Sequence, residues 1–335
     1  MLQRIAIALL CAFTASAAQP TATVAEIISI VRNAIAKHES DGALAKNLHK
    51  LKSVEKLNDH TVEELESAGA GPKSVAELAR LRDASASLPP PIDPSPFHYG
   101  PRPSVEEQHA IINAAQQIAV NYAKSLPDFM CVEVIRRYDD ARVSMDLRDT
   151  LEIKLSYFDQ REDYRLLTMN GRPTVRPFES VGGATSQGEF GSLMFSIFDD
   201  KSRTAFIWDH WTTLRKRRAH VFSFRILPGN SNYHVSFGQT YGKLDAIVGQ
   251  HGFIYLDRET NQILRIVAAA DPPEKFPVQQ SSSVVDYDFR TVGSNQFLLP
   301  VRAEIRMAAG ALHTKNLIEF HDYRKFTGES TITFH

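Results

Sequence analysis

Apolar residues recur every three or four positions through the first part of the chain. Val24, Ile27, Ile28, Val31 and Ile35 fall on one helical face, and Leu44, Leu48 and Leu51 carry the spacing into a second helix. Thr61-Val62-Glu63-Glu64 has the form of a capping box, in which Thr61 accepts from an amide three residues on and Glu64 reaches back. Gly69-Ala70-Gly71-Pro72 breaks that helix and Ser74 to Leu81 resumes it. Residues 19–87 are therefore expected to form a small N-terminal all-α domain. Further on, Ile111, Ala115, Ile118, Ala119 and Tyr122 make a longer stripe behind a second capping box, Ser104-Val105-Glu106-Glu107. Pro127 stops it, and the pattern predicts one long helix over about residues 104–125.

After Pro127 the period falls from 3.6 to 2. Leu151, Ile153, Leu155 and Tyr157 alternate with Glu152, Lys154 and Ser156. Val301, Ala303, Ile305 and Met307 alternate with Arg302, Glu304 and Arg306, which predicts strands with one dry and one wet face. Further strands are expected at 131–138, 163–169, 204–211, 219–227, 252–256, 262–269, 283–290, 316–324 and 330–334. Asn170-Gly171 and the stretch Asp257 to Gln262 supply hairpin turns. A short helix near Ser192 to Phe198 interrupts the strands. Many short strands without regular helices between them predict an antiparallel sheet in an α+β fold.

Two segments divide the chain before any chemistry is considered. Residues 86–103 hold seven of the 17 prolines, and a segment so poor in amide donors is expected to be extended. It places a linker at 88–103, between the helical domain and a sheet domain at 104–335. At the start, Arg4, the apolar run Ile5 to Phe13, and Ala15-Ser16-Ala17 have the layout of a cleavable secretory leader, residues 1–18. The run is too short to span a bilayer core of about 30 Å. An exported chain, periplasmic or extracellular and bacterial, without a transmembrane segment is expected, cut near Ala17 or Ala18. Cys11 leaves with the leader, so Cys131 is the lone remaining thiol and no internal disulfide is expected. A formal net charge of −1 gives no global pull toward nucleic acid or anionic membrane.

Against that background few residues suggest chemistry. Ser186, in Gly182-Gly183-Ala184-Thr185-Ser186-Gln187-Gly188, is the nearest approach to a nucleophile elbow, but it lacks the first glycine and lies in a loop. The 12 histidines show no metal-binding spacing, and Cys131 is expected to be a small buried hydrophobe. No catalytic residue, metal or cofactor is assigned. Arg215-Lys216-Arg217-Arg218 is a candidate anion contact, or the solvated tip of a hairpin. Ala68-Gly69-Ala70-Gly71-Pro72-Lys73-Ser74-Val75 resembles the turn of a helix-hairpin-helix module, although neutral charge and export speak against a DNA-binding role. The aromatic pattern carries more. Phe206, Trp208 and His210 share one strand face, and His220, Phe222 and Phe224 share another together with Ile226. These six are the candidate lining of a pocket for an apolar ligand between sheet and helix, with an ordinary packed core as the alternative.

Residues 252–307 carry a recognisable order. Gly252-Phe253-Ile254-Tyr255-Leu256-Asp257-Arg258-Glu259-Thr260 precedes Ile263-Leu264-Arg265-Ile266, then Val285-Asp286-Tyr287-Asp288-Phe289, then Phe297-Leu298-Leu299-Pro300-Val301. This resembles the LolA and LolB type of periplasmic lipoprotein carrier, in which one strand ends in Leu-Asp-x-x-Thr and a later one in Leu-Pro. The resemblance implies a curved antiparallel half-barrel covered by a long helix. It also implies a non-enzymatic role in holding a lipid or a lipoprotein acyl chain. Residues 20–103 are extra to that plan. The alternatives are an envelope scaffold that docks a protein partner through the helical domain, and a hydrolase using Ser186.

Overall fold

The computed structural model describes residues 20–91, 100–140, 145–181, 190–239 and 242–326. The leader, the middle of the proline-rich segment, Ser186 and the strand expected at 330–334 lie outside the described residues. The chain divides into two compact units, Met1–His98 with Thr213–Lys216, and Tyr99–Thr212 with Arg217–His335. No helix among the described residues is long and apolar enough to cross a membrane.

The first unit is built on four helices, α1 Val24–Ala36, α2 Asp41–His49, α3 Asp59–Ala68 and α4 Pro72–Ala84. Their facing stripes meet in one core of Ile27, Val31, Leu48, Leu65, Leu78 and Leu81. α1 starts at a capping box, with Thr23 accepting from Glu26 N and Glu26 from Thr23 N. Thr61 does not cap α3 as expected. Asn58 does, accepting from Thr61 N at 2.8 Å. Starting three residues earlier buries Leu57, Val62 and Leu65 on the core side, which a start at Thr61 would not enforce. Nor is the unit wholly helical. β1 Thr21–Ala22 pairs in parallel with β2 Lys52–Ser53, which pins the chain where it enters α1.

The second unit opens with α5 Val105–Ser125, whose Ser104–Glu107 box is formed as the sequence predicts. There follow β3 Phe129–Asp139, β4 Asp146–Phe158, β5 Arg161–Met169, β6 Arg172–Pro173, α6 Ser192–Phe198, β7 Ala205–Leu214 and β8 Arg217–Ile226. The chain then forms β9 His234–Gln239, β10 Gly242–Ile247, β11 Gly249–Asp257, β12 Ile263–Asp271, β13 Val278–Val292, β14 Asn295–Ala309 and β15 Leu312–Lys325. Eleven of these strands make one sheet in the order β6-β5-β4-β3-β15-β14-β13-β12-β11-β8-β7. Its registered pairings are antiparallel, and it is not closed into a barrel. Two meanders, β3–β6 and β11–β15, are joined where β15 returns beside β3.

Period-2 alternation places the core. Leu151, Ile153, Leu155 and Tyr157 on β4 face the same apolar layer as Cys131 and Ile135 on β3, with Ala115, Ala119 and Tyr122 of α5 above them. Asn170 and Gly171 both take positive φ, as a two-residue hairpin turn requires. The β9–β10 hairpin was not predicted, since its glycines and polar residues blur the alternation; it forms a separate two-stranded sheet beside a small cluster of Val235, Val248 and Val278. Arg137 and Asp149 share the apolar face of β3 and β4 and form a buried two-bond ion pair, at 2.6 Å for each bond. Such a pair costs desolvation that its own hydrogen bonds offset, and it fixes register more than it adds stability.

Candidate functional site

The hairpin β7–β8 reverses through Arg215 and Lys216, which both adopt left-handed φ, 49° and 66°. The basic run is thus divided by backbone geometry. Arg215 and Lys216 make the turn, while Arg217 and Arg218 begin β8 and point to opposite faces. Arg217 Nε donates to Asp257 at 2.6 Å and its guanidinium stacks on Phe289. Arg218 lies over the ring of Trp211 at 5.5 Å. The four cations do not form one continuous charged surface.

Of the six aromatic candidates, three converge. Trp208 Nε1 donates to His220 Nδ1 at 3.3 Å, and Phe222 lies next to His220 on the same face. Trp211, three residues from Trp208, joins them: its ring centroid is 4.0 Å from that of His220 and 6.1 Å from that of Trp208. Strict alternation would have put Trp211 on the other side. Phe206 is set apart, half-buried and stacked on Phe198 of α6. Phe224 is deeply buried in the main core beside Phe222. His210 has its Nδ1 2.5 Å from Asp209 Oδ2, at the half-exposed edge.

Burial first, then the positive charge of Arg258, push His220 down to about 4; Glu107 pulls the other way, and Arg218 adds the smallest downward push. The ring is therefore neutral at pH 7. Because Nδ1 accepts from an indole that can only donate, the proton sits on Nε2.

Two further residues of this cluster carried no sequence signal, Arg102 and Arg258. Arg102 is 5.5 Å over Trp208, and Arg258 is 5.5 Å over Trp211. Both come from segments distant in the chain. The Trp211 N–H donates to Pro101 O at 3.0 Å.

The sequence segments that suggested a carrier turn out to be anchors. In Leu256-Asp257-Arg258-Glu259-Thr260, Asp257 Oδ1 accepts from Glu259 N, Thr260 N and Thr260 Oγ, while Oδ2 holds Arg217. Burial would raise the Asp257 pKa, yet these bonds hold it below the usual carboxylate range. In Leu298-Leu299-Pro300, the Leu298 carbonyl accepts from Tyr122 Oη at 2.8 Å, and the Pro300 carbonyl from Tyr323 Oη at 2.6 Å. Tyr122 belongs to α5, so the Leu-Pro strand ties the helix to the sheet. Tyr157 adds a bond to Ala123 O, and Gln116 bonds Phe198 O and Asp200 at the end of α6. Gly191 lets the chain pass close to α5, since a Cβ there would stand 3.1 Å from Tyr122.

In the first unit, the turn resembling a helix-hairpin-helix module has its anion position filled from within. The amides of Lys73 and Ser74 at the start of α4 both donate to Asp41 at 2.9 Å, and Ser74 Oγ donates at 2.6 Å. Burial raises the Asp41 pKa, but these bonds outweigh it and hold the carboxyl down. A Cβ at Gly71 would lie 2.5 Å from Asp41 Cγ, so any other residue there would displace the carboxylate. A phosphate would have to displace that carboxylate.

No protein-family profile matches the chain, and no curated protein matches it significantly. Among solved structures it is similar to a LolA superfamily protein from Nitrosomonas europaea, at 10% identity and TM-score 0.33, over 68% of this chain and 97% of that one. It is similar to a DUF1329 family protein from Desulfovibrio piger, at 10% identity and TM-score 0.31, over 66% and 94%. A third is an outer membrane lipoprotein-sorting protein domain from Vibrio parahaemolyticus, at 13% and TM-score 0.32, over 65% and 92%. The first bears the family name to which residues 252–307 have their resemblance. At such identity a likeness of fold says nothing of activity.

Proposed function

We propose that the protein is an exported, non-catalytic carrier that holds a lipid or the acyl chain of a lipoprotein, in the periplasm or outside the cell. The ligand would lie between α5 and the concave face of a half-barrel formed by the eleven-stranded sheet. The observation that carries this reading is how lightly α5 is held. Of its 21 residues only Ala115, Ala119 and Tyr122 are buried, and two of those are methyl-sized. Ile111, Ile112 and Val120 stay half-buried against the core. The core that α5 joins also holds large apolar residues, Phe222, Phe224, Ile254 and Ile266 among them. A helix that buries so little area can lift at small cost, since apolar burial is worth about 25 cal/mol per Å². Its ties to the sheet, from Tyr122 to Leu298 O and from Tyr157 of β4 to Ala123 O, lie in its last turns, which suits a hinge at that end.

Native mass spectrometry of protein taken from a bacterial envelope, together with titration of a fluorescent fatty acid into the delipidated protein, tests the reading. A retained lipid, or saturable binding weakened by Phe222→Ala, is expected. Absence of both, with Phe222→Ala costing about 3–5 kcal/mol as a packed core residue does, would refute it.

A second reading, docking of a protein partner through the helical unit, is favoured by one feature. A cavity of about 330 Å³ opens between α1, α2 and the α3–α4 turn, with Ile35 and Leu44 in its lining and Glu39 and Asp41 beside them.

A further inference from the structure

On β11 the core side carries Gln250, Gly252, Ile254 and Leu256. Ile254 and Leu256 pack in the main core. The first two residues interrupt it. Gly252 has no side chain, and its partners across the ladder are Phe224 on β8 and Ala268 on β12. Ala268 is paired in turn with Ser283 on β13. Gln250 is set between Ile226 and Ala270. Ile226 belongs to the main core, whereas Ala270 packs with the small cluster of Val235, Val248 and Val278. The amide of Gln250 therefore stands at the seam of two apolar clusters. Its neighbours there on β11 and β12, Gly252, Ala268 and Ala270, carry nothing larger than a methyl group.

Gln250 is 1% exposed, and its Oε1 accepts no hydrogen bond among the described residues. A buried acceptor that has given up water without a replacement weakens the fold. Packing by itself would favour an aliphatic residue at this position, as it does at Ile254 and Leu256 on the same face. The gap in side-chain size and the unbonded acceptor are separate features, and they fall at the same place. An acceptor is complemented by an N–H or O–H donor, and the surroundings are hydrocarbon. An apolar chain that bears one such donor suits both.

We infer that this seam seats the polar end of the carried chain, with Gln250 Oε1 accepting a hydrogen bond from it. The ligand class is then an acyl chain whose head bears an amide N–H or a hydroxyl, in preference to a plain ester. The site rests on the carrier reading and adds to it the residue that selects the ligand. Gly252, Ala268 and Ala270 leave the head room, since a bulkier side chain at any of them would reach over the amide.

Probes of one chain length test the selection. Methyl palmitate has no donor. N-methylpalmitamide replaces its ester oxygen by N–H at nearly the same shape, and methyl 3-hydroxypalmitate adds a hydroxyl. Each is used to displace a fluorescent fatty acid from the delipidated full chain. At least one donor-bearing probe should act at about tenfold lower concentration than methyl palmitate, the ratio that a good hydrogen bond supplies. Which of them does so distinguishes an amide head from a hydroxyl one. Gln250→Met is similar in size and has no comparable acceptor, so it should abolish the preference. Its urea midpoint without ligand should equal or exceed that of the unaltered protein, because it no longer buries an unbonded amide. A structural glutamine held by buried water would give equal displacement by all the probes and a lowered midpoint in Gln250→Met. Either result, or a preference that persists in the variant, would overturn the inference. Equal displacement leaves the carrier reading in place, whereas failure of the fluorescent fatty acid to bind removes that reading and the site together.

Discussion

His220 shows how much one buried ring can record. Its nearest neighbours are two indoles and a phenyl ring, and the cations beyond them work against its protonation. The unfolded chain takes up the proton near pH 6.5, whereas the folded protein does so only near 4. The neutral ring therefore contributes its stability in full above pH 6.5, and that stability is lost as pH falls toward 4. Urea midpoints at pH 7.5 and 4.5 should fall further for the wild-type chain than for His220→Gln; equal falls would show that His220 is not responsible. Cys131 illustrates the opposite outcome of burial. Burial first, then the neighbouring Glu133, push its thiol up, which removes the thiolate that nucleophilic chemistry needs. Gly252 is dictated by space and by its positive φ of 158°, since a Cβ there would stand 1.9 Å from the Val267 carbonyl oxygen.

Among the elements, α5 decides most. Its stripe predicts a helix correctly and supplies its buried residues, Ala115, Ala119 and Tyr122, while Ile111 and Ile118 remain only half-buried. Polar ties through Tyr122, Tyr157 and Gln116 add to that limited packing. Tyr122→Phe keeps the ring against Tyr287 and removes the bond to Leu298 O. It should cost about 1–2 kcal/mol of unfolding free energy and accelerate hydrogen exchange in α5 before exchange in β4. Unchanged exchange in α5 would mean that the helix is held by packing after all. The β7–β8 turn shows the limit of turn rules: Arg215-Lys216 carries no glycine or asparagine, yet it adopts the conformation those residues favour. Two β-strands held in register by their aromatic faces can impose left-handed φ on residues that would not choose it.

For the whole molecule, the expectation that residues 88–103 link two domains becomes a proposal about how the chain is cut. Mild proteolysis should act first between about residues 86 and 103, leaving a resistant fragment that contains β3–β15. Early cutting within β3–β15 instead would argue that the sheet does not persist as a unit. The two cores share none of their buried residues: Ile27, Leu48 and Leu78 belong to one, Leu151, Phe222 and Ile266 to the other.

The chain by itself determined most of its elements, though not the β9–β10 hairpin or the β1–β2 pair. Period 3.6 through Val24 to Ile35 and Ile111 to Tyr122, period 2 through Leu151 to Tyr157, and Asn170-Gly171 between strands are local signals, because helix and strand periodicities arise from backbone geometry within a few residues. The antiparallel class followed from the same evidence. What only the tertiary structure decided are the meetings between distant residues. Arg102, Arg218 and Arg258 reach the same two indoles from positions with no common pattern. Trp211 joins Trp208 against the alternation, Asp41 fills the turn at Gly71 from another helix, and Arg137 finds Asp149 across two strands. Each of these depends on strand order, register or helix packing, which are set by the summed burial of many side chains and leave no trace in the spacing of the residues they bring together.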